Sequence, residues 1–475
     1  MNKLFTYHVY LFFVLISYMV QSQTQIEIIN ADKISFNKKN NKDRQVLTGN
    51  VKVKHNNQFM SCDSAYYYAN ENKIEAFSEI DIWQGDTLSL KGDYLIYLGN
   101  HQLAEVEKNV RFRHNEMNLT SEQLRYNFEH NKGFFDQKAI ITEKNKSLKS
   151  NQGIYFASIE KFDFYNDVII ETKEETLRSD TLYYWLENEY AVFQSNGSIK
   201  NTKINVNAQY GWINQKTGEA FLNKNIKIVN LQNNSILRAD TSYLFNEMNH
   251  SISYGNALFS MPLNEDTLYL TADTIFQQKK SDGNLLKAHP KAYFKSIDML
   301  GFCDSLSYLT KEENLFLNKE PVIWLDQFQL TSDSIRIILN KDQIELAFLN
   351  KSAFIASEVD TNSFNQISGE NMKAYFNKNK LSNIEVIGNG ESIYYVADEK
   401  KNETVGVNKI ICSNMNIIIK NRKIENINFY KNPDAMLYPT NQINPENLLL
   451  KGFTWRNKTY IKNMIEHKMD KYQLF

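Results

Sequence analysis

Short stretches in which apolar and polar residues alternate recur along the whole chain. Residues 49–53, 109–113 and 225–228 read GNVKV, NVRFR and NIKI. A period of two is typical of a β-strand with one buried face. Polar, turn-forming clusters such as 143–146 separate the stretches, and no stretch between Gln25 and Asn432 keeps a capped helical period over three turns. The pattern predicts an all-β chain of short strands.

A second phrase recurs with a fixed spacing. It consists of an aliphatic residue, any residue, a small residue and then Asp or a polar substitute, which we call the anchor. The thirteen anchors are Asp32, Asp63, Asp93, Glu122, Asn151, Asp180, Gln209, Asp240, Asp273, Asp304, Asp333, Glu370 and Asn414. Their spacings are 31, 30, 29, 29, 29, 29, 31, 33, 31, 29, 37 and 44 residues. A period near 30 predicts an elongated array of repeats, each of which contacts mainly its neighbours.

The shared property of the anchor is hydrogen bonding rather than charge, because Asn151, Gln209 and Asn414 replace the carboxylate. The position before it is small in every copy, which indicates a tight packing slot. An aromatic residue follows three or four residues after the first ten anchors, as at Tyr97. We therefore expect a turn or bulge at the anchor and no calcium site, since the glycine-rich nonapeptide of calcium-binding β-rolls is missing.

Composition and motifs argue against several classes of function. The formal net charge is −1 with both signs interspersed, so no nucleic-acid partner is expected. The 8 His residues have no metal-ligand spacing, and no nucleophile elbow, phosphate loop or dinucleotide fingerprint occurs. We expect no enzyme, no cofactor and no metal site. Cys62 and Cys303 occupy the small slot and Cys412 lies beside it, so all three are expected to be core residues rather than disulfides.

The two ends of the chain differ from the array, which is expected to span residues 24–432. Lys3, an apolar run from Val9 to Val20 and the small residue Ser22 predict a cleaved signal peptide over 1–22 and hence export from the cytoplasm. An uncleaved anchor is the alternative, although the run is short of the roughly 20 residues that a span needs. Three prolines after 432 end the array, and the tail 433–475 is expected to be a cap or a docking segment.

The inward positions of the predicted strands are the candidate ligand-binding residues. They are Val51, Val53, Ile80, Ile82, Val110, Phe112, Val168, Ile170, Ile226, Ile228, Ala257 and Phe259. Two interpretations remain open: these side chains line a trough for an apolar ligand, or they fill one another's space as a solid core. The face is ambiguous where two aliphatic residues run together, as at Ile169 and Ile170.

The repeat resembles the OstA-like family, which includes the periplasmic lipopolysaccharide-transport protein LptA and the N-terminal domain of its outer-membrane partner LptD. The matching phrases are clearest at 47–53, 29–34 and 237–243. The resemblance implies an open, twisted β-jellyroll whose hydrophobic groove shelters the acyl chains of lipopolysaccharide or a related glycolipid. It also implies a periplasmic location, and stacking of free strand edges on other envelope transport components or end-to-end self-association. The chain has many more repeats than LptA and lacks the barrel strands of LptD.

Two other interpretations are kept. One is a secreted β-solenoid, built as a right-handed parallel β-helix or a similar solenoid, that acts as an adhesin or as a polysaccharide-binding or polysaccharide-processing protein. The other is a structural scaffold of the first fold with a solid core. An open interior with antiparallel strands favours the glycolipid hypothesis, whereas closed coils favour the solenoid.

Overall fold

The computed structural model describes residues 24–36, 44–245, 249–263, 266–281, 283–341, 343–398, 403–420, 423–439 and 448–474. The predicted signal peptide, 1–22, lies outside this part of the chain. Strands account for 73% of the chain, which confirms the all-β prediction. The chain divides into two compact units, unit 1 up to Phe193 and unit 2 from Gln194 onward, and each is described by itself.

Unit 1 is built of strands and two single turns of 3₁₀ helix, Gly99–His101 and Ala157–Ile159. Its strands are β1 (Glu27–Asn30), β2 (Lys33–Phe36), β3 (Arg44–His55), β4 (Gln58–Tyr68), β5 (Lys73–Gln84), β6 (Leu88–Leu98), β7 (Leu103–His114), β8 (Met117–Asn127), β9 (Lys132–Phe135), β10 (Ala139–Glu143), β11 (Lys146–Ser150), β12 (Gln152–Phe156), β13 (Lys161–Glu171), β14 (Glu175–Trp185) and β15 (Tyr190–Ser195), the last of which ends just past the unit boundary.

Unit 2 continues with strands and ends with a helix. Its strands are β16 (Gly197–Asn201), β17 (Ile204–Ala208), β18 (Tyr210–Asn214), β19 (Glu219–Asn230), β20 (Ile236–Phe245), β21 (His250–Tyr254), β22 (Leu258–Pro262), β23 (Thr267–Thr271), β24 (Thr274–Lys280), β25 (Gly283–His289), β26 (Ala292–Lys295), β27 (Met299–Cys303), β28 (Ser305–Leu309), β29 (Asn314–Asn318), β30 (Val322–Leu325), β31 (Phe328–Thr331), β32 (Ser334–Asn340), β33 (Gln343–Asp360), β34 (Ser363–Asn377), β35 (Lys380–Asp398), β36 (Glu403–Lys420), β37 (Lys423–Tyr430) and β38 (Asp434–Pro439), and the helix is α1 (Lys458–Lys471).

Neighbouring strands pair antiparallel throughout the described parts of both units, for example β5 with β6 and β25 with β28. Coils of a parallel β-helix would pair parallel strands instead. The parallel-solenoid prediction is therefore wrong, and the antiparallel repeat array is confirmed.

Several long strands in both units bend at a two-residue bulge opposite an anchor carried by a neighbouring strand. In β5 the register passes from Phe77 to Ile80, so that Ser78 and Glu79, with φ of 62° and 48°, lie opposite Asp93. A bulge bends the strand and strengthens its twist. Burial alternates on both sides of the bend, since Ala76 and Ile80 are both buried. Equivalent bulges fall at 49–50, 108–109 and 166–167 in unit 1 and at 224–225, 351–352 and 388–389 in unit 2.

The anchor fastens this bend. The backbone N–H of Asp32 donates to the carbonyl of Gly49 over 2.9 Å, and the side-chain amide of Asn50 donates to Asp32 Oδ2 over 2.9 Å. Where Asn replaces the carboxylate, the backbone bond remains, from Asn151 N–H to the carbonyl of Asn166 over 3.1 Å. The predicted turn or bulge role of the anchor is confirmed.

The small residue before the anchor fills a slot with little spare room. A Cβ added to Gly92 would lie 2.4 Å from Val106 Cγ1. Cys62, Cys303 and Cys412 are buried free thiols, as predicted. Burial raises the pKa of Cys62 and of Cys303 to about 12, so both remain protonated and unreactive near neutral pH.

The bends fold each unit into two layers. In unit 1 the arms that follow the bends of β3, β5, β7 and β13 belong to the first layer, and the arms that precede those bends belong to the second. The rings of Phe112, in the first layer, and Tyr155, in the second, have centroids 6.0 Å apart, although β7 and β12 are not paired with each other. The inner faces therefore meet, and the fold is a two-layer β-jellyroll.

The C-terminal segment 448–474, which we call the strap, lies on the outer face of unit 2. Helix α1 begins at the N-cap Asn457, whose side chain accepts from the N–H of Tyr460 over 3.0 Å, and such a cap satisfies an otherwise unpaired donor. Its buried face, Ile461, Ile465 and Met469, packs with Leu258, Tyr293, Leu300, Val322 and Trp324. Covering these apolar residues is what holds the helix in place.

Candidate functional site

The structure places the predicted inward residues in the interiors of both units. In unit 1 the buried members are Val51, Val53, Ile80, Ile82, Val110, Phe112, Val168 and Ile170. In unit 2 they are Ile226, Ala257 and Phe259, and Ile228 is partly buried against the core. Of the adjacent residues Ile169 and Ile170, whose faces the sequence left ambiguous, Ile170 faces the interior and is 0% exposed. Ile169 lies on the other face and is only partly buried. The alternation predicted the inner face correctly at these positions.

The interior of unit 1 is closely packed in this structure. The ring of Phe162 stacks on Tyr155 with centroids 4.5 Å apart and on Phe164 with centroids 4.8 Å apart. Phe112 fills the space between Tyr155 and Tyr126, whose ring centroid lies 5.1 Å from its own. Side chains from the two layers thus fill one another's space here.

In unit 2 the two layers leave a cavity of about 590 Å³. One side is formed by β22, β23, β26 and β27, and the other by β25, β28, β29, β32 and the start of β33. Its apolar lining includes Phe259, Met261, Leu263, Leu268, Leu270, Leu286, Phe294, Met299, Leu306, Tyr308, Leu315, Ile337, Leu339 and Ile344. Cavities of 300–1,000 Å³ with such a lining are typical of small-molecule sites, by order of magnitude. Of the inward residues predicted from the sequence, Phe259 is in the lining of this cavity.

Polar groups surround the mouth of this cavity. Beside the apolar residues, the lining includes Asp266, Asp298, Lys341 and Lys378. Ile297 also belongs to the lining and is 78% exposed. Asp298 Oδ2 accepts from the amide of Asn379 over 3.3 Å. An apolar interior with charges of both signs at its opening suits an amphiphile whose chain is buried and whose head group stays in water.

A deviation in the repeat marks this site. The residue three before the anchor Asp304 is Gly301, whereas the other twelve copies have an apolar residue there. A Cβ on Gly301 would lie 2.1 Å from Phe294 Cζ, so the Phe294 ring rests directly on the glycine. This signal was visible in the sequence, but its meaning depends on a neighbouring strand.

The strap supports the same wall of the cavity from outside. On β26, Phe294 lines the cavity while Tyr293 packs against α1 and Lys295 pairs with Glu466 over 2.9 Å. Adjacent side chains of a strand point to opposite faces. The strand is therefore held between the cavity and the helix.

A row of buried tyrosines crosses the interior of unit 1, each four residues after an anchor. Its members are Tyr67, Tyr97, Tyr126, Tyr155 and Tyr184, with exposures of 6%, 1%, 0%, 1% and 0%. The sequence signal was an aromatic three or four residues after the anchor, which pointed equally to Tyr66 and Tyr183. Strand alternation distinguishes the two, because the residue at the fourth position faces inward.

In the described residues no group of three or more His, Cys, Asp or Glu side chains is placed to hold a metal ion. Of the helices in those same ranges, none has the length and apolar character to cross a membrane.

Residues 23–180 match the OstA-like protein family. The resemblance seen in the sequence is thereby confirmed for this segment, which covers most of unit 1. No curated protein matches the chain.

Solved structures provide a further comparison. The chain is similar to LptH, described as the LptA homologous periplasmic component of the conserved lipopolysaccharide transport device from Pseudomonas aeruginosa. Sequence identity is 11%, the match covers 24% of this chain and 82% of LptH, and the TM-score is 0.22.

Proposed function

We propose that this protein is a periplasmic bridge component that shelters the acyl chains of lipopolysaccharide, or of a related glycolipid, on the way to the outer membrane. The observation that carries the proposal is the apolar cavity of about 590 Å³ between the layers of unit 2. It occurs in a chain whose residues 23–180 match the OstA-like family. The remaining inward positions are the proposed contacts of the acyl chains within each unit, from Val51 to Ile170 in unit 1 and at Ile226 and Ile228 in unit 2.

The physical reason for such a device is the cost of moving acyl chains through water. Burying one methylene group lowers the free energy by about 0.8 kcal/mol. An acyl chain exposed to water throughout its passage across an aqueous compartment is therefore strongly unfavourable. A binding interior removes that cost while the charged head group remains hydrated at the mouth. This role is transport without catalysis.

Both ends of the array have strand edges suited to partners. Among the described residues β1 and β2 pair on one side, with β3, and they expose Ile29, Ile34 and Phe36. At the other end β38 pairs with β36 and exposes Met436 and Leu437 by 55% and 66%. Exposed edges accept a further strand, so we propose that other envelope transport components, or a second copy, dock there.

A photo-crosslinking experiment in cells tests the proposal. A photoreactive amino acid replaces Leu286, which lines the cavity, and in a matched variant replaces Lys287, the exposed next residue of the same strand. We expect glycolipid to be captured at position 286 and not at 287. No capture at either position, or equal capture at both, would contradict the proposal.

A further inference from the structure

The tyrosine row of unit 1 joins the two layers on the side away from the bends. Each tyrosine stands in the second layer, and its hydroxyl reaches the strand ends of the first. Tyr97 Oη lies 2.8 Å from Nδ1 of His55, at the end of β3. Tyr155 Oη lies 2.7 Å from Nδ1 of His114, at the end of β7. These bonds link layers that strand pairing does not join at this side.

The same arrangement continues at both ends of the row. Lys146, at the start of β11, donates to Tyr184 Oη over 3.1 Å and pairs with Glu189 over 2.6 Å. At the other end Tyr67 donates to the carbonyl of Ile26 over 3.2 Å. Four of the five tyrosines are thus tied to a polar partner from the opposing side.

The middle member is not tied. Gln84 precedes Tyr126 by 126 − 84 = 42 residues, as His55 precedes Tyr97 by 97 − 55 = 42, so it ends β5 at the equivalent position. In the described part of the chain, Gln84 Oε1 and Tyr126 Oη are both buried without a hydrogen-bond partner. A buried unpaired acceptor and hydroxyl are costly, and the Tyr126 hydroxyl makes no bond between the layers.

Unit 2 has no such row of tyrosines four residues after its anchors. The residues four after its anchors are mainly aliphatic or apolar, and they read Ile213, Leu244, Gln277, Tyr308, Ile337, Ala374 and Ile418. Tyr308 and Ile337 line the cavity. A row of tyrosines at this position is therefore a feature of unit 1, and its one counterpart in unit 2, Tyr308, belongs to the cavity lining.

We propose that the tyrosine row is a lateral seam of unit 1 that opens to admit an acyl chain between the layers and closes behind it. The bends keep the layers joined on the opposite side, so the seam opens without breaking the strand ladders. Neutral hydrogen bonds of this kind shift an equilibrium by only a few-fold each, roughly fivefold, which suits a closure that opens repeatedly. The inference rests on the proposed function, because it supplies the entry route for the same ligand.

The test combines an accessibility reporter with a lipid probe. Val110→Cys places a thiol in the interior of unit 1, in a background with Cys62→Ala, Cys303→Ala and Cys412→Ala. The seam variant adds Tyr97→Phe and Tyr155→Phe, and the matched control adds Tyr126→Phe, which removes a hydroxyl that ties nothing. A maleimide measures opening, and a pyrene-labelled long-chain fatty acid measures uptake.

We expect the seam variant to react with maleimide and to take up the fatty acid faster, by roughly fivefold for each bond removed, and the control to match the parent. Reduced thermal stability of the seam variant with unchanged rates of both processes would mean that the row is a structural tie, and would overturn the proposal. Faster labelling in a protein that binds no fatty acid in any form would support the opening of the seam and contradict the proposed function instead.

Discussion

The side-chain amide of Asn151 donates to Asp167 Oδ2 over 3.0 Å, in the reverse sense to the bond in which Asn109 donates to Asp93 Oδ2 over 2.6 Å. The anchor and the second residue of the bulge thus exchange roles while the bond between them is kept. One member of each pair carries the carboxylate and the other the amide. In these two copies the bond is therefore kept although the residue types are exchanged.

The charge arrangement of this pair predicts a swap experiment. Asn151→Asp sets two carboxylates against each other at the bend, and their repulsion should lower the free energy of unfolding. The double variant Asn151→Asp with Asp167→Asn recreates the Asp93 and Asn109 arrangement and should recover most of the loss. Urea unfolding of unit 1, followed by circular dichroism, measures both. A double variant no better than the single would contradict the pairing.

The packing slot at Gly92 predicts a cost for the smallest possible addition. In Gly92→Ala the new Cβ meets Val106 Cγ1 at 2.4 Å, and overpacking of this kind costs about 1–3 kcal/mol. Gly133→Ala is the matched control, because its nearest contact would be an ordinary 3.5 Å, to Tyr126 Cδ2. Denaturant midpoints should fall for the first and stay near the parent for the second.

A double-mutant cycle decides whether the side chain of Val106 is the cause. Val106→Ala loses stability on its own through lost packing, but it removes the atom that Gly92→Ala would strike. The two changes should therefore be less than additive. Additive losses would indicate that the backbone around Gly92, and not the side chain, sets the size of the slot.

The sequence was informative wherever a property repeats locally. Val51 and Ile82 were assigned to the inner face because alternation is a property of a single strand. The same reasoning could not separate Phe112, in a filled core, from Phe259, in a cavity wall, since both are inward aromatic residues. Whether space remains between two layers depends on side chains that are distant in sequence, such as Phe294 and its neighbour Gly301 across the strand pair.

The packing position of the C-terminal tail could not be predicted from local sequence patterns either. Gln329 and Gln366 resemble surface residues in the sequence, yet they are 1% and 0% exposed. Gln366 donates to the carbonyl of Leu448 and accepts from the N–H of Leu450, both over 2.9 Å. Gln329 holds 454 and 456 in the same way, over 2.6 and 2.8 Å. Only the folded chain brings these amides to the strap.

The hydrogen bonds of Gln366 and Gln329 to the strap predict which substitution detaches it. Gln366→Leu keeps a similar volume but leaves the carbonyl of Leu448 and the N–H of Leu450 buried and unpaired, at a cost of about 1–3 kcal/mol for each group. The strap should detach more often, so amide hydrogen exchange over 448–456 should accelerate. Gln232→Leu, at an exposed position, is the control and should leave this exchange unchanged. Unaltered exchange in Gln366→Leu would show that the helix alone holds the strap.

The bond between His114 and Tyr155 predicts a dependence on pH. Burial lowers the pKa of His114 from its ordinary value of 6.5, against a smaller opposing effect of Glu160. The unfolded chain therefore binds a proton more readily than the folded one, so the stability due to neutral His114 is complete above about pH 6.5 and is lost as pH falls through the lower folded pKa. Urea unfolding at several pH values measures the free energy of unfolding of the parent and of His114→Gln, whose side chain cannot be protonated in this range. The stability advantage of the parent over His114→Gln should shrink below pH 6.5, because protonation charges the partly buried imidazole only in the parent. A difference that stays constant down to pH 5 would contradict the direction of the shift, since no other group distinguishes the two proteins.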